Sequence, residues 1–379
     1  MPPALGVLAI VSVLCLIGLV MVLSASSVQS LRHNGSSWLL FQRQLLWVAL
    51  GTVGLVAASR VDYHQWGRLS VPLLGLAGVL LAAVLLPGVG VRAGGSTRWL
   101  SVGGWRMQPS ELAKLALVVF LAGLLARRGD RRDYRREVLR PALLVFGAVG
   151  GLVLCQPDMG TTVVLGCVVL TMLFVGGAPL RTMAGLVGVT VVASFVLGMV
   201  EPYRRARMLS FLNPWADPGN TGYQVVQSLV GLGTGGTTGV GVGASRAKWG
   251  FLPNAHTDFI FAIIGEELGL LGALLVVALF VGFVLLAARA AAAAPDRFGM
   301  LLATGIVAWV GGQAFLNIGA VTGVVPVTGV PLPLVSFGGS SLVILMVAIG
   351  VLLNVARQGR RAASGRSRPG VAAGTGAAG

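Results

Sequence analysis

The charged residues inside or at the edge of long apolar runs are the first candidates for chemistry in this chain. Glu111 and Lys114 stand three residues apart at the start of one run, and Glu266 and Glu267 are adjacent inside another. Charged groups in apolar surroundings are costly to bury, so they mark functional sites by default. Glu111 and Lys114 would share one helical face, where a stabilising ion pair explains them as well as ligand binding does. The two adjacent glutamates require partners, such as Lys114 or an arginine of the preceding loop.

Two aspartates lie where apolar runs begin or end. Asp158 occupies a short turn between two runs. It could close or cap that turn, but the apolar neighbourhood favours a functional role at least equally. Asp258 follows His256 and Thr257 directly before another run. Thr257 or Asp258 could cap the helix that begins there by accepting hydrogen bonds from its first N–H groups. A capping role for Asp258 is compatible with a chemical one.

The elements that carry these residues must be surrounded largely by lipid. Of the 379 residues, 55% are hydrophobic and 11% are charged, whereas a soluble domain is about a quarter charged. A single soluble core of this size is excluded, because cores stop growing near about 250–300 residues. The net charge of +16 lies in short loops between apolar runs, which indicates membrane orientation and no nucleic-acid binding. The cysteines and histidines are scattered and lack metal-ligand spacing.

Ten apolar runs predict an all-α integral membrane protein with about ten transmembrane helices, which cross a hydrocarbon core of about 30 Å. The first run is predicted to be a retained helix and not a cleaved signal peptide, because no basic segment precedes it. The membrane domain covers residues 1–356, and residues 357–379 are predicted to be a disordered basic cytoplasmic tail. The predicted spans are 4–24, 42–59, 69–88, 109–126, 140–156, 160–177, 180–199, 259–287, 299–319 and 339–356.

The arginines predict the orientation of the spans, because Lys and Arg concentrate in cytoplasmic loops. Residues 127–140 contain seven arginines, and the tail contains five more. Placing both in the cytoplasm, with an even number of spans, puts the N-terminus there as well. The one long loop, residues 201–258 between the seventh and eighth predicted helices, is then extracellular.

The long outer loop has the features of a cover over a cavity at the membrane surface. Long loops in compact proteins are usually functional or disordered, and this one has aromatic residues and a predicted amphipathic helix at 223–230. Its glycine-rich stretch, residues 231–243, could bring backbone N–H groups to a diphosphate, but a flexible or tightly packed turn is favoured. No βαβ unit frames its G-x-G-x-x-G spacing, which excludes a dinucleotide site. Together, these features predict an outward-facing polar cavity that binds an anionic amphiphile. They do not distinguish an enzyme from a transporter.

Seven segments of the sequence resemble the SEDS family of shape, elongation, division and sporulation proteins, which includes FtsW and RodA. They extend from residue 21 to residue 357, nearly the whole chain, and their order and number make a chance resemblance implausible. NPWADPGNTGYQ and PLPLVSFGGSS are more similar to the division branch, FtsW, than to RodA. The segments are MVLSAS (21–26), RWLSVGGWRMQPSELAKL (98–115), QPDMGT (156–161), FLNPWADPGNTGYQVVQSL (211–229), AHTDFIFAIIGEELGLLG (255–272), GQAFLNIGAVTGVVPVTGVPLPLVSFGGSS (312–341) and NVAR (354–357).

This resemblance implies a glycosyltransferase of the cytoplasmic membrane that polymerises lipid II into peptidoglycan strands during cell division. Its partners would be lipid II, membrane lipid, a class B penicillin-binding protein and other division proteins. The family's catalytic aspartate corresponds to Asp258 in the HTDF motif, where it would act as a general base. No nucleotide or redox cofactor is implied, although a divalent cation such as Mg²⁺ could assist the leaving diphosphate.

The remaining candidate residues would bind the substrate. Fixed positive charge for the diphosphate could come from Arg98, Lys114, Arg204, Arg205, Arg246 and Lys248. The other predicted substrate-binding residues are Trp99, Glu111, Asp158, His256, Thr257, Glu266 and Glu267. The alternative function is a lipid II flippase or similar transporter, which is disfavoured because the spans are largely apolar apart from charges near their outer half. A non-catalytic scaffold of the division machinery is a weaker third hypothesis.

Overall fold

The computed structural model describes residues 3–93, 96–103, 105–128, 133–200, 205 and 210–366. The chain folds mainly into helices, as its apolar runs predict, because a helix satisfies its own backbone groups in lipid. The helices are α1 (Pro3–Asn34), α2 (Leu39–Arg60), α3 (Tyr63–Arg68), α4 (Ser70–Leu85), α5 (Pro109–Arg128), α6 (Arg140–Cys155), α7 (Met159–Val175), α8 (Leu180–Val200), α9 (Tyr223–Thr234), α10 (Ile260–Ala292), α11 (Arg297–Val321) and α12 (Gly339–Arg366).

Apolar helices lie at all ten positions where spans were predicted. Within the described residues, seven are long and apolar enough to cross a membrane: α1, α2, α5, α6 with the π-helical turn before it, α10, α11 and α12. The other three predicted spans correspond to the shorter apolar helices α4, α7 and α8. The prediction of a helical multi-pass membrane protein is therefore confirmed. The predicted helix at 223–230 is also present, as α9.

The last helix does not end where the sequence analysis places its end. α12 continues through Arg366, so residues 357–366, predicted as the start of a disordered tail, are helical. Alanine and arginine are strong helix formers, which explains the extension. Gly359 lies against the end of α10, since a Cβ added to it would be 2.1 Å from Ala293 O. Residues 367–379 lie outside the described residues.

The most enclosed of the helices long enough to span a membrane, α5, α12 and α11, form the centre of the bundle. α11 packs against α5, α7 and α10, and Trp309 on α11 is the largest of the fully buried side chains. α2, in contrast, presents apolar side chains outward, and Val53 is 68% exposed. An exposed apolar face of this kind marks contact with lipid or with another protein.

A three-stranded antiparallel sheet follows α4 and is the part of the mostly helical fold that the all-α prediction does not include. Its strands β1 (Gly90–Ala93), β2 (Ser96–Val102) and β3 (Trp105–Met107) pair in chain order. The sequence carries a hairpin signal, since glycine pairs at 94–95 and 103–104 separate short runs with aromatic and β-branched residues. An edge-to-face contact at 4.9 Å between Trp105 and Trp47 holds the sheet on α2.

The glycine-rich stretch of the outer loop packs into a break in α10. Gly269 interrupts this helix with φ 70° and ψ −168°. Hydrogen bonds join the loop and the break in both directions: Leu270 N–H donates to Gly236 O at 2.9 Å, and Val240 N–H donates to Glu266 O at 3.0 Å. The loop thus satisfies backbone groups that a broken helix leaves unpaired. The packed-turn interpretation is confirmed, because main-chain carbonyls occupy N–H groups that a diphosphate would need.

We expect Gly269→Ala to destabilise the protein. An added Cβ would lie 2.3 Å from the Gly239 nitrogen, and a non-glycine residue in such a backbone conformation costs about 1–3 kcal/mol before that clash is counted. Gly78→Ala in α4 is the matched control, because its added Cβ has no described atom within 4 Å other than the adjacent residues and the backbone of its own helix. The midpoint of thermal unfolding in detergent should fall for Gly269→Ala only. Equal midpoints would contradict this account of the break.

Candidate active site

Asp258 lies immediately before α10, where the outer loop meets the bundle. The helix begins at Ile260 with Phe259 at its N-cap position, and the Phe259 side chain makes no capping bond. Capping by Thr257 or Asp258 stays a prediction. The Asp258 carboxylate lies beside Gly329, since a Cβ added there would be 3.6 Å from Oδ2. Main chain from residues 322–338 therefore forms one wall beside this carboxylate.

Residues 322–338, the returning segment, are non-helical and fold back into the bundle, as their prolines and glycines predict. Ser336 Oγ donates to Thr257 O at 2.5 Å, and Phe337 N–H donates to His256 O at 3.0 Å. These bonds join the segment to the two residues before the candidate base. The loop before α10 and the returning segment thus form one backbone framework around the carboxylate.

Two amide side chains on α11 hold the same framework from the other side. Asn317 Nδ2 donates to Asp258 O at 2.7 Å and to Val330 O at 2.8 Å. Gln313, one turn earlier, donates from Nε2 to Pro331 O at 3.0 Å. The sequence analysis missed both residues, although two amides four positions apart inside an apolar span, GGQAFLNIG, are a visible signal.

Three buried polar atoms around Asp258 have no hydrogen-bond partner in the part of the chain that the structure describes. They are His256 Nδ1, Asn317 Oδ1 and Thr328 Oγ1, out of ten such atoms in that part. Burial lowers the pKa of His256 to about 4, so its ring is neutral at pH 7. Buried polar groups are normally hydrogen-bonded, so three unpartnered ones on residues that neighbour Asp258 or Gly329 are candidate contacts for polar groups of a ligand.

The predicted pair of Glu111 and Lys114 is present and almost completely buried. Lys114 Nζ lies 2.9 Å from Glu111 Oε2 and donates to Gln313 Oε1 at 2.8 Å. The Trp309 indole N–H donates to the same Gln313 oxygen at 2.9 Å. Two donors therefore fix the Gln313 amide so that its NH₂ group faces Pro331 O. The ion-pair explanation is supported, and the pair is connected through Gln313 to the returning segment.

The partner of Glu267 is Lys248 of the outer loop. Glu267 Oε1 and Lys248 Nζ lie 3.4 Å apart, and both side chains are buried. Ser24 Oγ on α1 donates to Glu267 Oε1 at 2.6 Å. The suggestion that Lys114 neutralises the adjacent glutamates is wrong, because Lys114 is bound to Glu111. This cluster joins α1, the outer loop and α10 at one point.

The partners of Glu266 come from the same stretch of the outer loop. Ser245 Oγ donates to Oε2 at 2.5 Å, Arg246 N–H to Oε1 at 2.8 Å and Ala247 N–H to Oε2 at 3.3 Å. The predicted arginine contact is therefore made by the main chain of Arg246, whose side chain is exposed. Charge-assisted hydrogen bonds are the stronger kind, and here they hold the loop on α10. We define the loop anchor as Ser24, Ser245, Lys248, Glu266 and Glu267.

Arg98 and Asp158 meet at the turn between α6 and α7. The Arg98 guanidinium donates to the carbonyls of Gln156 and Pro157 and lies 3.6 Å from Asp158 Oδ1. Asp158 also caps α7, where its Oδ1 accepts from Thr161 N–H at 3.1 Å. The capping explanation for Asp158 is confirmed, and the same carboxylate ties β2 to the turn.

The side chains of the remaining predicted residues take no part in these clusters. Trp99 is half-buried on β2, opposite Val91. The Arg205 side chain is exposed, and Arg204 lies outside the described residues. Among the described ranges, no group of three or more His, Cys, Asp or Glu side chains could hold a metal ion. The structure thus distributes the predicted residues over several clusters, with His256 and Thr257 directly beside the candidate base.

Comparisons with known proteins show the family to which the chain belongs. The family described as "Cell cycle protein", FtsW/RodA/SpoVE, matches residues 5–361. The chain is 45% identical to the probable peptidoglycan glycosyltransferase FtsW of Thioalkalivibrio sulfidiphilus, over 93% of this chain and 89% of that protein. It is 41% identical to stage V sporulation protein E of Bacillus subtilis, over 94% and 98% of the two chains.

A solved structure extends the similarity to the fold. A chain of a peptidoglycan synthase complex, in which polymerisation and crosslinking are structurally coordinated, is similar with a TM-score of 0.76 and 31% identity. The similarity covers 93% of this chain and 97% of that one. Since the family match extends over almost the whole described chain and the relatives align from end to end, this protein belongs to the FtsW/RodA/SpoVE family.

Proposed function

We propose that this peptidoglycan glycosyltransferase polymerises lipid II at the outer face of the cytoplasmic membrane during cell division, with Asp258 as general base. The observation that carries the assignment is the environment of this carboxylate. It lies directly before α10 and beside Gly329 of the returning segment, and three buried polar atoms on neighbouring residues lack a partner among the described residues. The functions named for the relatives support the same activity.

The chemistry requires inversion at one carbon atom. Lipid II carries its sugar α-linked to undecaprenyl diphosphate, and the product is β-1,4-linked, so a single in-line displacement suffices. Asp258 takes the proton of the acceptor 4-hydroxyl while that oxygen bonds to the anomeric carbon. The bond from this carbon to the diphosphate breaks, and undecaprenyl diphosphate leaves. A positioned general base contributes about 10²–10⁴-fold to such a rate.

The leaving diphosphate needs fixed positive charge. Lys114, Lys248 and Arg98 each face a carboxylate at 2.9, 3.4 and 3.6 Å, which reduces the positive charge they offer. Arg205 and Arg246 have exposed side chains and are the better candidates among the described residues. The diphosphate bond supplies the free energy, so no nucleotide or redox cofactor is needed. The described carboxylates and histidines do not fit a resident metal ion, so a divalent cation such as Mg²⁺ would arrive with the diphosphate.

A class B penicillin-binding protein is the proposed partner, together with other division proteins. An apolar groove of about 390 Å³ lies beside the break in α10. Its lining on that helix consists of the small residues Gly265, Gly269 and Ala273 and the larger residues Phe261, Leu270, Leu274 and Val277. Small residues let another helix approach closely in lipid. A single membrane-spanning helix of the partner fits this groove, and its outer domain would then meet the outer loop.

Both chain ends are proposed to be cytoplasmic and the outer loop external, because of the arginine distribution. The test uses a variant in which the three native cysteines are replaced. A cysteine introduced at Asn220 should react with a membrane-impermeant maleimide added to whole cells. One introduced at Asp133 should react only after lysis. The opposite pattern would overturn this orientation.

Reconstitution tests the proposed activity against the flippase alternative. Purified protein is mixed in vesicles with fluorescent lipid II, and the penicillin-binding protein is titrated in. Glycan polymer on a gel, increasing with the partner, is the expected result. Lipid II that crosses the bilayer without polymer would support a transporter instead. The enzyme is favoured because Asp258 lies at a helix start beside the outer loop, whereas a flippase needs polar groups through the whole bilayer.

A further inference from the structure

We infer that Asn317 is a positioning residue that sets the place of the Asp258 carboxylate, an inference that rests on the proposed role of Asp258 as base. Asn317 is 2% exposed and lies on α11, one of the central helices. Its Nδ2 group makes two hydrogen bonds, to Asp258 O at 2.7 Å and to Val330 O at 2.8 Å. One side chain thus ties the main chain of the base to the returning segment.

The orientation of this amide follows from its acceptors. A flipped Asn317 would place Oδ1 against two carbonyl oxygens, and both carbonyls would lose their donor. Gln313, one turn earlier, donates to Pro331 O, the carbonyl that follows Val330 O. The two amides of α11 therefore bind consecutive carbonyls. This arrangement sets the register of the returning segment on the helix.

The register of the returning segment on α11 determines which residue lies beside Asp258. Gly329, which directly precedes Val330, lies against the Asp258 carboxylate. Asp258 itself is outside α10, which begins at Ile260, and its carbonyl is held by Asn317. Asn317 therefore keeps the backbone of the base and the wall beside its carboxylate in one geometry.

Loss of this amide should affect the chemical step more than binding. A general base must lie within hydrogen-bond distance of the proton that it removes. A misplacement of about 1 Å can lower a rate by about 100-fold. We expect Asn317→Ala to lower kcat for lipid II polymerisation by about 10- to 100-fold. KM should change little, which is the pattern for an interaction used in the transition state.

Asn354 on α12 supplies the matched control for the loss of a buried amide. It is 7% exposed, its Nδ2 donates to Ser59 O at 2.9 Å, and its Oδ1 accepts from Tyr63 N–H at 3.1 Å. These contacts join α12 to the end of α2 and the start of α3, which carry no candidate residue. Asn354→Ala should lose stability, as Asn317→Ala does, but keep its kcat per folded molecule.

The variants are compared as monodisperse protein with the partner present, and initial rates are scaled to the folded fraction. Asn317→Ser keeps one hydrogen-bond donor and should have a kcat between those of wild type and Asn317→Ala. If the alanine variant does not fold, the serine variant replaces it in the comparison with Asn354→Ala. A kcat for Asn317→Ala or Asn317→Ser no lower than that of Asn354→Ala would overturn the inference. A raised KM at unchanged kcat would overturn it too.

The proposed base and the positioning role can fail separately. Full activity of Asp258→Asn would show that Asp258 is not the general base. The positioning role of Asn317 would then be rejected as well, because it rests on that assignment. An inactive Asp258→Asn variant beside a fully active Asn317→Ala variant would reject the positioning role alone.

Discussion

Asp258→Asn is expected to abolish glycan polymerisation while the protein still folds and inserts. Asparagine keeps the shape of the side chain but cannot take up the proton, so a contribution of about 10²–10⁴-fold to the rate is lost. The fold should survive, because the Asn317 contact is to the main-chain carbonyl of residue 258, which the substitution leaves in place. The measurement is the initial rate of polymer formation by purified protein with lipid II and the partner.

Asp217→Asn is the matched control in the same outer loop. Asp217 accepts hydrogen bonds from Asn220 Nδ2 and Thr221 N–H, in a turn that asparagine also closes. This variant should polymerise at the wild-type rate. Polymer from Asp258→Asn at nearly that rate would remove the general-base assignment.

Lys248→Met is expected to be strongly destabilising, because it removes the cation of the loop anchor. Glu267 would remain buried and charged, and removal of one member of a buried pair costs about 3–5 kcal/mol. Lys248 Nζ also donates to Gly243 O at 2.5 Å and to Ser24 Oγ at 3.2 Å. Since the anchor holds the outer loop on α10, thermal stability and polymerisation should fall together. The unfolding midpoint in detergent and the polymerisation rate measure the two effects.

The double variant Lys248→Met with Glu267→Gln tests whether the unpaired charge is the cause. The introduced amide is neutral and keeps an oxygen that accepts from Ser24 Oγ, so much of the lost stability should return. Substitutions at neighbouring residues that share an interaction change the free energy of unfolding in a non-additive way. A double variant as unstable as the sum of the two single variants would contradict the electrostatic explanation.

The helical architecture was predictable because a helix that crosses the bilayer needs a run of about 20 apolar residues, which is easily seen in a sequence. Local exceptions within that signal were harder to detect. The sequence predicts an unbroken span across Gly269, because a single glycine in LGLL does not distinguish a tolerated residue from a break. The sheet was missed although glycine pairs divide its segments, because the surrounding chain is so strongly helical.

The candidate site was predictable only in part. Asp258 and His256 were identified by their place beside the long loop and by their motif. The pairing of Glu267 with Lys248 spans 19 positions and depends on how the loop packs, which one sequence does not reveal. Asn317 was overlooked because a single amide in a span resembles a tolerated polar residue until its two acceptor carbonyls are known.

The break at Gly269 also affects how α10 responds to a change in the thickness of the bilayer. Long membrane spans tilt when the thickness of the bilayer changes, and a continuous α10 would transmit such a tilt to the residue at its outer end. The helix is interrupted, but the loop hydrogen-bonds to residues on both sides of the interruption. The loop therefore braces the two parts of α10 against each other. We expect residues 260–268, the loop and Asp258 to follow a tilt of the rest of the helix as one unit.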